Sequence, residues 1–387
     1  MLTRSPRTST SRWSPTTISA ENTSAVEPEY GVATSEYSAI QVVIHSRLSL
    51  AKQITQLAEF VLASAPIVPL SRHPAWLNVL QLALGHEPYA VQATSGGRIV
   101  GFLPLALLDT LLFGRFLVSL PYLNSSGVST TIPQVQTALI ERAVTLADEL
   151  NVRYLELRHE QALDHPALTA TFSAKVHMRL ALPQTPEQLW KGFDPKVRNQ
   201  IRKAEKQNFV VQWGAVEQLE PFHEVLSRNM RDLGSPVYGV ELFRGILATF
   251  PGQAEICVVW AGKTPVATAL LLHGWGVTEV PTASSLKELN STSVNMLMYY
   301  HLLCRAVERN QRVFDFGRST LGGNTYRFKK QWGAQPLPAL WQYHLNDGQV
   351  GEMRPESPRY ERAIRIWKQL PVWLTRRLGP QIVRGIP

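Results

Sequence analysis

One order of elements, written twice along the chain, limits what it can fold into more than any other feature. Residues 41–157 run as helices, antiparallel hairpin, helix and strand, and residues 186–316 repeat that order. In the first copy, 48–62 and 73–84 have helical spacing, the second opening at Ser71-Arg72-His73-Pro74 with proline near its first turn. TSGGRIVGFLPLALL and FLVSLPYL predict strands around a break at FGR, 133–150 a helix, and the alternating 152–157 a strand. In the second copy, 186–208, 216–233 and 240–249 predict helices. Strands follow at 254–260 and 266–272 around Gly262-Lys263, and at 277–283. A helix over 293–310, capped by Asn290, Ser291 or Thr292, then leads to a strand at 313–316. The expected fold class is α/β of the α+β kind: two tandem domains, each a mixed, mainly antiparallel sheet flanked by helices and enclosing its own core. The boundary falls near Leu182-Pro183, giving domains 39–182 and 183–347.

The flanks differ in character. Residues 1–38 are rich in Ser and Thr, carry Pro6, Pro15 and Pro28, and lack hydrophobic periodicity, which predicts a disordered tail. Arg4, Arg7 and Arg12 are followed by no apolar segment of the secretory kind, and a start codon placed too far upstream would look the same. At the other end, 348–387 form a basic amphipathic segment. From residue 358 onward, seven basic residues face the single acid Glu361, holding most of the chain's net charge of +9. Tyr360, Ile364, Trp367, Leu370, Trp373 and Leu374 recur at helical spacing, broken once by Pro371. That composition suits a peripheral contact with an anionic membrane through 358–387, or a terminal helix packed on the second domain with a solvated basic face.

With 44% hydrophobic and 18% charged residues, the chain has the balance of a globular protein. Its longest apolar stretch, 99–123, is interrupted by Gly101, Pro104, Asp109, Thr110, Gly114 and Arg115, which excludes a spanning helix there. Cys257 and Cys304, each in an apolar run, make neither a disulfide framework nor a metal cluster, so no metal is expected and a cytoplasmic setting is.

Two stretches could carry chemistry. In FDPKVRNQIRKAEKQN, Asp194 is placed to cap a helix whose first position is Pro195. Arg198, Arg202 and Lys206 then form one i, i+4 row, with Asn199 and Lys203 beside it and Val197, Ile201 and Ala204 opposite. Like charges in such a row repel, so the row either holds an anion or is a solvated face. In FDFGRSTLGGNTYRFKKQWG, a strand ends near Gly317 and a loop with Gly322-Gly323 leads to Tyr326, Arg327, Phe328, Lys329 and Lys330. A lysine there could neutralise a carboxylate or phosphate, or stabilise the oxyanion of acyl transfer; the alternative is an ordinary surface loop.

Extended to WKGFDPKVRNQIRKAEKQNFVV and FDFGRSTLGGNTYRFKKQWGAQP, these stretches resemble the two signatures of FemAB-like proteins of the GNAT superfamily. The resemblance is greatest to the subgroup found beside exopolysaccharide and PEP-CTERM/exosortase genes. HPAWLNVLQLALGHEPY, GRIVGFLPLALL, FGRFLVSLPYLNSSGV and WKQLPVWLTRRLGPQIV extend it over about residues 42–383. It implies tandem GNAT domains with a substrate cleft in or between them. The implied activity is transfer of an acyl or aminoacyl group to an amine on a cell-envelope or exopolysaccharide precursor. The donor would be aminoacyl-tRNA, acyl-CoA or an acyl carrier, with tRNA a partner in the first case and no permanently bound cofactor. It also implies that Phe328 and Lys329, with Tyr326 just ahead, lie beside the reacting centre. Arg198, Asn199, Arg202 and Lys203 would hold an anionic substrate or hold the site together, with Arg318 and Asn295 joining them in substrate binding. The two basic elements are expected to converge on one cleft.

Two departures bear on these expectations. Asn124-Ser125-Ser126-Gly127 stands where the subgroup usually has an aromatic-Gly-Gly turn. SSLKELNSTSVNML has no glycine where a CoA-dependent GNAT usually cradles pyrophosphate at a helix start. Glu279, His301 and Asp315 are candidate bases, each with a structural alternative, Asp315 by pairing with Arg318. A CoA-dependent N-acetyltransferase and a non-enzymatic scaffold for anionic lipid or RNA remain the other readings.

Overall fold

The computed structural model describes residues 39–346 and 360–386. The tail expected over 1–38, and residues 348–359 of the C-terminal segment, lie outside them. The first half of the chain runs β1 (Gln41–Ser46), α1 (Arg47–Ala63), α2 (Trp76–Leu84), β2 (Glu87–Ser95), β3 (Arg98–Thr110), β4 (Gly114–Val118), α3 (Pro133–Glu149) and β5 (Tyr154–His159). Next come β6 (Ala170–Ala181), α4 (Pro186–Gly192), α5 (Pro195–Glu205), β7 (Phe209–Gly214), α6 (Leu219–Leu233) and α7 (Val240–Thr249). The hairpin β8 (Ala254–Ala261) and β9 (Thr264–His273) leads to β10 (Val277–Ser285), α8 (Val294–Glu308), β11 (Val313–Thr320), α9 (Asn324–Lys330) and β12 (Gln335–Leu345). Two short helices close the chain, α10 (Glu361–Trp367) and α11 (Val372–Val383).

All twelve described strands join one mixed, mainly antiparallel sheet in the order β1-β2-β3-β4-β5-β12-β6-β11-β10-β9-β8-β7. The repeated pattern is visible in its two parallel pairs. β4 pairs with β5 across the crossover helix α3, and β10 with β11 across α8. A parallel neighbour needs such a crossover, so each copy of the pattern produces one. The last strand, β12, lies antiparallel between β5 and β6 and joins the two copies through the backbone.

Beside one core within each half there is a core that both halves build. One apolar cluster is made in the first half around α3, with Val135, Leu139 and Ile140. A second lies in the latter half around α5 and α8. Between them, Leu57, Trp76 and Leu80 pack with Phe222, Phe243 and Leu270. The apolar faces of α1 and α2 are covered by the other copy's helices, which local periodicity cannot reveal.

Local signals at α5 act as the sequence predicts: Asp194 Oδ1 accepts from the Lys196 amide at 2.8 Å, and Pro195 occupies the first turn. The helix expected over 186–208 is broken into α4 and α5 by that same cap. The loop expected to carry Lys329 is instead the helix α9. The expected caps of α8 belong to a 3₁₀ turn, Lys287–Thr292, and Ser293 in the left-handed region (φ 64°) leads into the helix. α10 and α11 pack on the second half: Trp367 Nε1 donates to Ser235 O, Arg231 Nη1 donates to Leu370 O, and Arg376 pairs with Glu220 at 2.7 Å. No described helix is long and apolar enough to cross a membrane.

Candidate functional site: a cleft where the sheet opens

β10 and β11 pair for only three residues, ending at Glu279 opposite Asp315. Beyond that point β10 follows β9 and β11 follows β6, each through a register shift, between Glu279 and Thr282 and between Asp315 and Arg318. Irregularities that terminate pairing and re-aim side chains are a recurrent way to build a site into a sheet. Gly317, at φ 75°, lets β11 bend here, and a Cβ at that position would lie 3.1 Å from the side-chain Nδ2 of Asn124. The first half therefore reaches the opening through the segment 120–127. That segment holds Leu120 and Tyr122 at positive φ (45° and 71°), strain of the kind that surrounding structure must enforce.

Buried charges collect at the point of divergence. Glu279, only 8% exposed, accepts from both the amide and the hydroxyl of Ser71, at 2.9 and 2.6 Å. Burial, aided by the negative Asp315, pushes the Glu279 carboxyl up to about 7 despite the Ser71 bonds. Asp315 accepts from Arg179 Nε at 2.8 Å and from the Gly317 amide at 2.7 Å. Arg179 also binds both oxygens of Glu160, at 2.7 and 2.8 Å. Burial opposes ionisation of Glu160, yet the Arg179 bonds prevail and hold its carboxyl down at about 2. Neighbouring carboxyls pushed apart in this way can serve as proton acceptor and permanent charge respectively. Ser71 and Glu160 come from the first half, whereas Arg179, Glu279 and Asp315 lie on strands of the second half's sheet.

On β12, between the halves, Trp341 is sandwiched by two guanidinium groups. Arg158 of β5 lies 3.9 Å from the ring centroid and Arg318 of β11 3.5 Å. Arg158 is 2% exposed, binds Glu156 Oε1 and Leu123 O at 2.7 Å each, and leaves its buried Nη2 without a hydrogen-bond partner among the described residues. Arg318 Nε donates to Asn124 Oδ1 at 3.3 Å. Beside this stack, Tyr122, Leu123, Tyr238, Pro281 and Thr282 line part of a cavity of about 170 Å³.

Lys329 is 8% exposed and donates to the carbonyls of Gly317 and Arg318 at 3.1 and 2.9 Å. It thus fastens the bend of β11, and burial pushes its ammonium down to about 8. Phe328 packs edge-on to Tyr299 at 5.0 Å, and Tyr326 lies 5.9 Å from the Lys330 ammonium. The start of α5 comes near: Phe193, two residues ahead of it, meets Trp332, two residues beyond α9, edge-on at 5.2 Å. The charges of the two elements, however, take different directions. Arg202 lies 5.4 Å from the Trp190 ring and lines an open cavity of about 430 Å³ with Glu187, Glu205 and Tyr300, while Lys329 turns inward to β11. Asn199 accepts from Arg202 at 3.5 Å and is exposed with Lys203; Arg198 and, at the start of α8, Asn295 are half-buried. Of the candidate bases, Glu279 and Asp315 meet at the opening, and Asp315 takes Arg179 rather than Arg318 as its bonded partner. The acids acting on His301 are Glu205 and Glu308.

Sequence reasoning gives no site role to Ser71, Arg158, Glu160, Arg179 and Trp341, and marks Asn124 only as a departure from the usual turn. For Arg158 a signal existed: Glu156 and Arg158 are the charged pair on one side of YLELRH, a strand that is buried throughout. Charges on such a strand must be satisfied by something across the sheet. Among the described residues, no group of three or more His, Cys, Asp or Glu side chains is placed to hold a metal ion.

Residues 193–330 match the family described as acetyltransferase (GNAT) domain. No curated protein matches the chain. Among solved structures it is similar to FemX, with a TM-score of 0.60 and 15% identity over 79% of this chain and 98% of that one. A tandem GNAT protein from the clavulanic acid biosynthesis pathway aligns with a TM-score of 0.52 and 14% identity, over 80% of this chain and 100% of that one. L-PGS from Bacillus licheniformis gives 0.51 and 12%, over 76% of this chain and 92% of that one. The chain thus has the tandem GNAT fold, and the segment matching the acetyltransferase domain contains α5, Glu279, Asp315 and Lys329.

Proposed function

We propose that this chain is an acyltransferase that moves an acyl or aminoacyl group to an amine in the cleft between its halves. The observation that carries this reading is the end of β10–β11 pairing at Glu279 and Asp315, with a buried carboxyl tuned to about 7 on one side. An amine must lose a proton before or during attack on an acyl carbon, and an acceptor poised near neutral pH does this most effectively. In this reading Glu279 takes that proton as the C–N bond forms, the acyl bond to the donor's thiol sulfur or ribose oxygen breaks, and the proton passes on to that leaving group, while Asp315 stays bonded to Arg179 beside it. Lys329 and Phe328 keep β11 bent and so hold the opening in shape. The acceptor is an amine on a cell-envelope or exopolysaccharide precursor, as the sequence resemblance implies, and the enzyme works in the cytoplasm. The test is a screen of the purified protein with labelled acyl-CoAs, acyl carriers and aminoacyl-tRNAs against amine acceptors. Transfer from at least one donor class is expected, and transfer from none overturns the reading. With an active pair in hand, Glu279→Gln is expected to lower kcat by about 10²- to 10⁴-fold and to remove the acidic limb of the pH profile near 7. An unchanged profile excludes Glu279 as the acceptor.

CoA as donor is the reading favoured by the acetyltransferase-domain match over 193–330. Against it stands the glycine-free 3₁₀ turn that leads into α8. Calorimetric titration decides between them: absence of heat at millimolar CoA leaves an aminoacyl-tRNA or an acyl carrier as donor.

A further inference from the structure

The tip of the β3–β4 hairpin projects apolar side chains that are uncovered among the described residues. Leu111 is fully exposed and Leu112 is 72% exposed. The residues on either side of this tip are anchored to the end of the chain. A Cβ on Gly385 would lie 2.6 Å from the Phe113 ring and 2.8 Å from the Thr110 hydroxyl. Phe113 also lines, with Ile364, Trp367, Ile382 and Ile386, an apolar cavity of about 150 Å³. Hairpin tip, α10 and α11 therefore border one apolar recess.

Around that recess the exposed side chains alternate between two chemistries. On α10, Arg362, Arg365 and Ile366 are exposed while Ile364 and Trp367 turn inward. On α11, Thr375, Gly379 and Val383 are buried, Trp373 (66% exposed), Arg377 and Arg384 fall on one outward row, and Leu378 is exposed about 100° further round the helix. The nearby acids are Asp109, which pairs with Arg115, Glu220, which pairs with Arg376, Asp232, which pairs with Arg231, and Glu361 at the start of α10. Exposed Leu, Ile and Trp interleaved with Arg match the requirements of a lipid interface, where apolar tips enter the acyl boundary and guanidinium groups meet anionic headgroups.

The geometry points to a membrane-docking face made jointly by Leu111-Leu112 and the outer sides of α10 and α11, specific for bilayers containing anionic phospholipid. The recess between them is sized for part of one acyl chain. The inference does not depend on the transferase reading, because vesicle binding is measured without substrate.

The test is co-sedimentation of the full chain with vesicles of phosphatidylcholine alone and with phosphatidylglycerol added. Binding is expected to the mixed vesicles only and to weaken as salt is raised. The double variant Leu111→Asp with Leu112→Asp alters exposed tips, so it is expected to keep the wild-type circular dichroism while binding at least about tenfold more weakly. Arg377→Glu with Arg384→Glu is expected to lose about fivefold or more per arginine. Failure of the wild-type chain to bind anionic vesicles overturns the proposal, as does undiminished binding by the leucine variant. Retention on RNA but not on vesicles would assign the face to nucleic acid and overturn it equally.

Discussion

Glu279 accepts from Ser71 twice and stands opposite Asp315 in the register, so its proton is shared between cleft chemistry and folding. Its folded-state carboxyl lies near 7, against 4.5 for an ordinary glutamate. Between about pH 4.5 and 7 the folded chain holds a proton that the unfolded chain has released. Stability from this residue is therefore lost as pH rises through that window and is level above it, a swing of at most about 3 kcal/mol. Glu160 has the opposite sign: held at about 2, it contributes above pH 4.5 and is lost only as pH falls below that. The two windows do not overlap. Urea unfolding of Glu279→Gln and wild type at pH 5 and pH 8 should thus show the variant gaining on wild type at the higher pH. A pH-independent difference would mean that Glu279 titrates normally.

Lys329 shows the same coupling at the level of an element. Its two bonds to Gly317 O and Arg318 O are the fastening of the β11 bend, and even a neutral amine would retain both donors. Lys329→Met leaves two backbone carbonyls unmet and should cost about 1–3 kcal/mol in urea unfolding. Hydrogen exchange should quicken at the amides of 315–320 before it does elsewhere, and uniform protection across β11 would refute the fastening role. What could be seen in the sequence follows the range of each interaction. The Asp194-Pro195 start of α5 spans three residues and is visible. The Glu160–Arg179–Asp315 chain joins residues 19 and 136 positions apart and exists only once β6 and β11 are in register. β12 escaped because Pro336 and Pro338 argue against a strand, yet it pairs on both edges. Lys329 was singled out through resemblance, but its direction depends on α9 being a helix rather than a loop.

For the whole molecule, the question is whether two copies of one pattern unfold as two bodies. Two features say that they do not. The core containing Trp76, Phe222 and Leu270 belongs to neither copy, and β12 is hydrogen-bonded to β5 from Leu340 to Leu345 and to β6 from Gln335 to Tyr343. Chains of this size commonly unfold through intermediates when each domain keeps a core of its own. Here neither half can leave without exposing the shared core and stripping one edge of β12. Far-UV circular dichroism and tryptophan fluorescence should therefore follow a single, superimposable urea transition. Trp341 sits at the joint, 7% exposed between Arg158 and Arg318. Trp341→Ala removes a large buried ring, worth about 3–5 kcal/mol, together with both guanidinium stacks. If the joint carries the cooperativity, the variant's two probes will separate, with one half unfolding ahead of the other. If the wild-type chain already shows two transitions, and Trp341→Ala moves only one of them, the halves are independent and the cleft between them is held by less than β12 and the shared core.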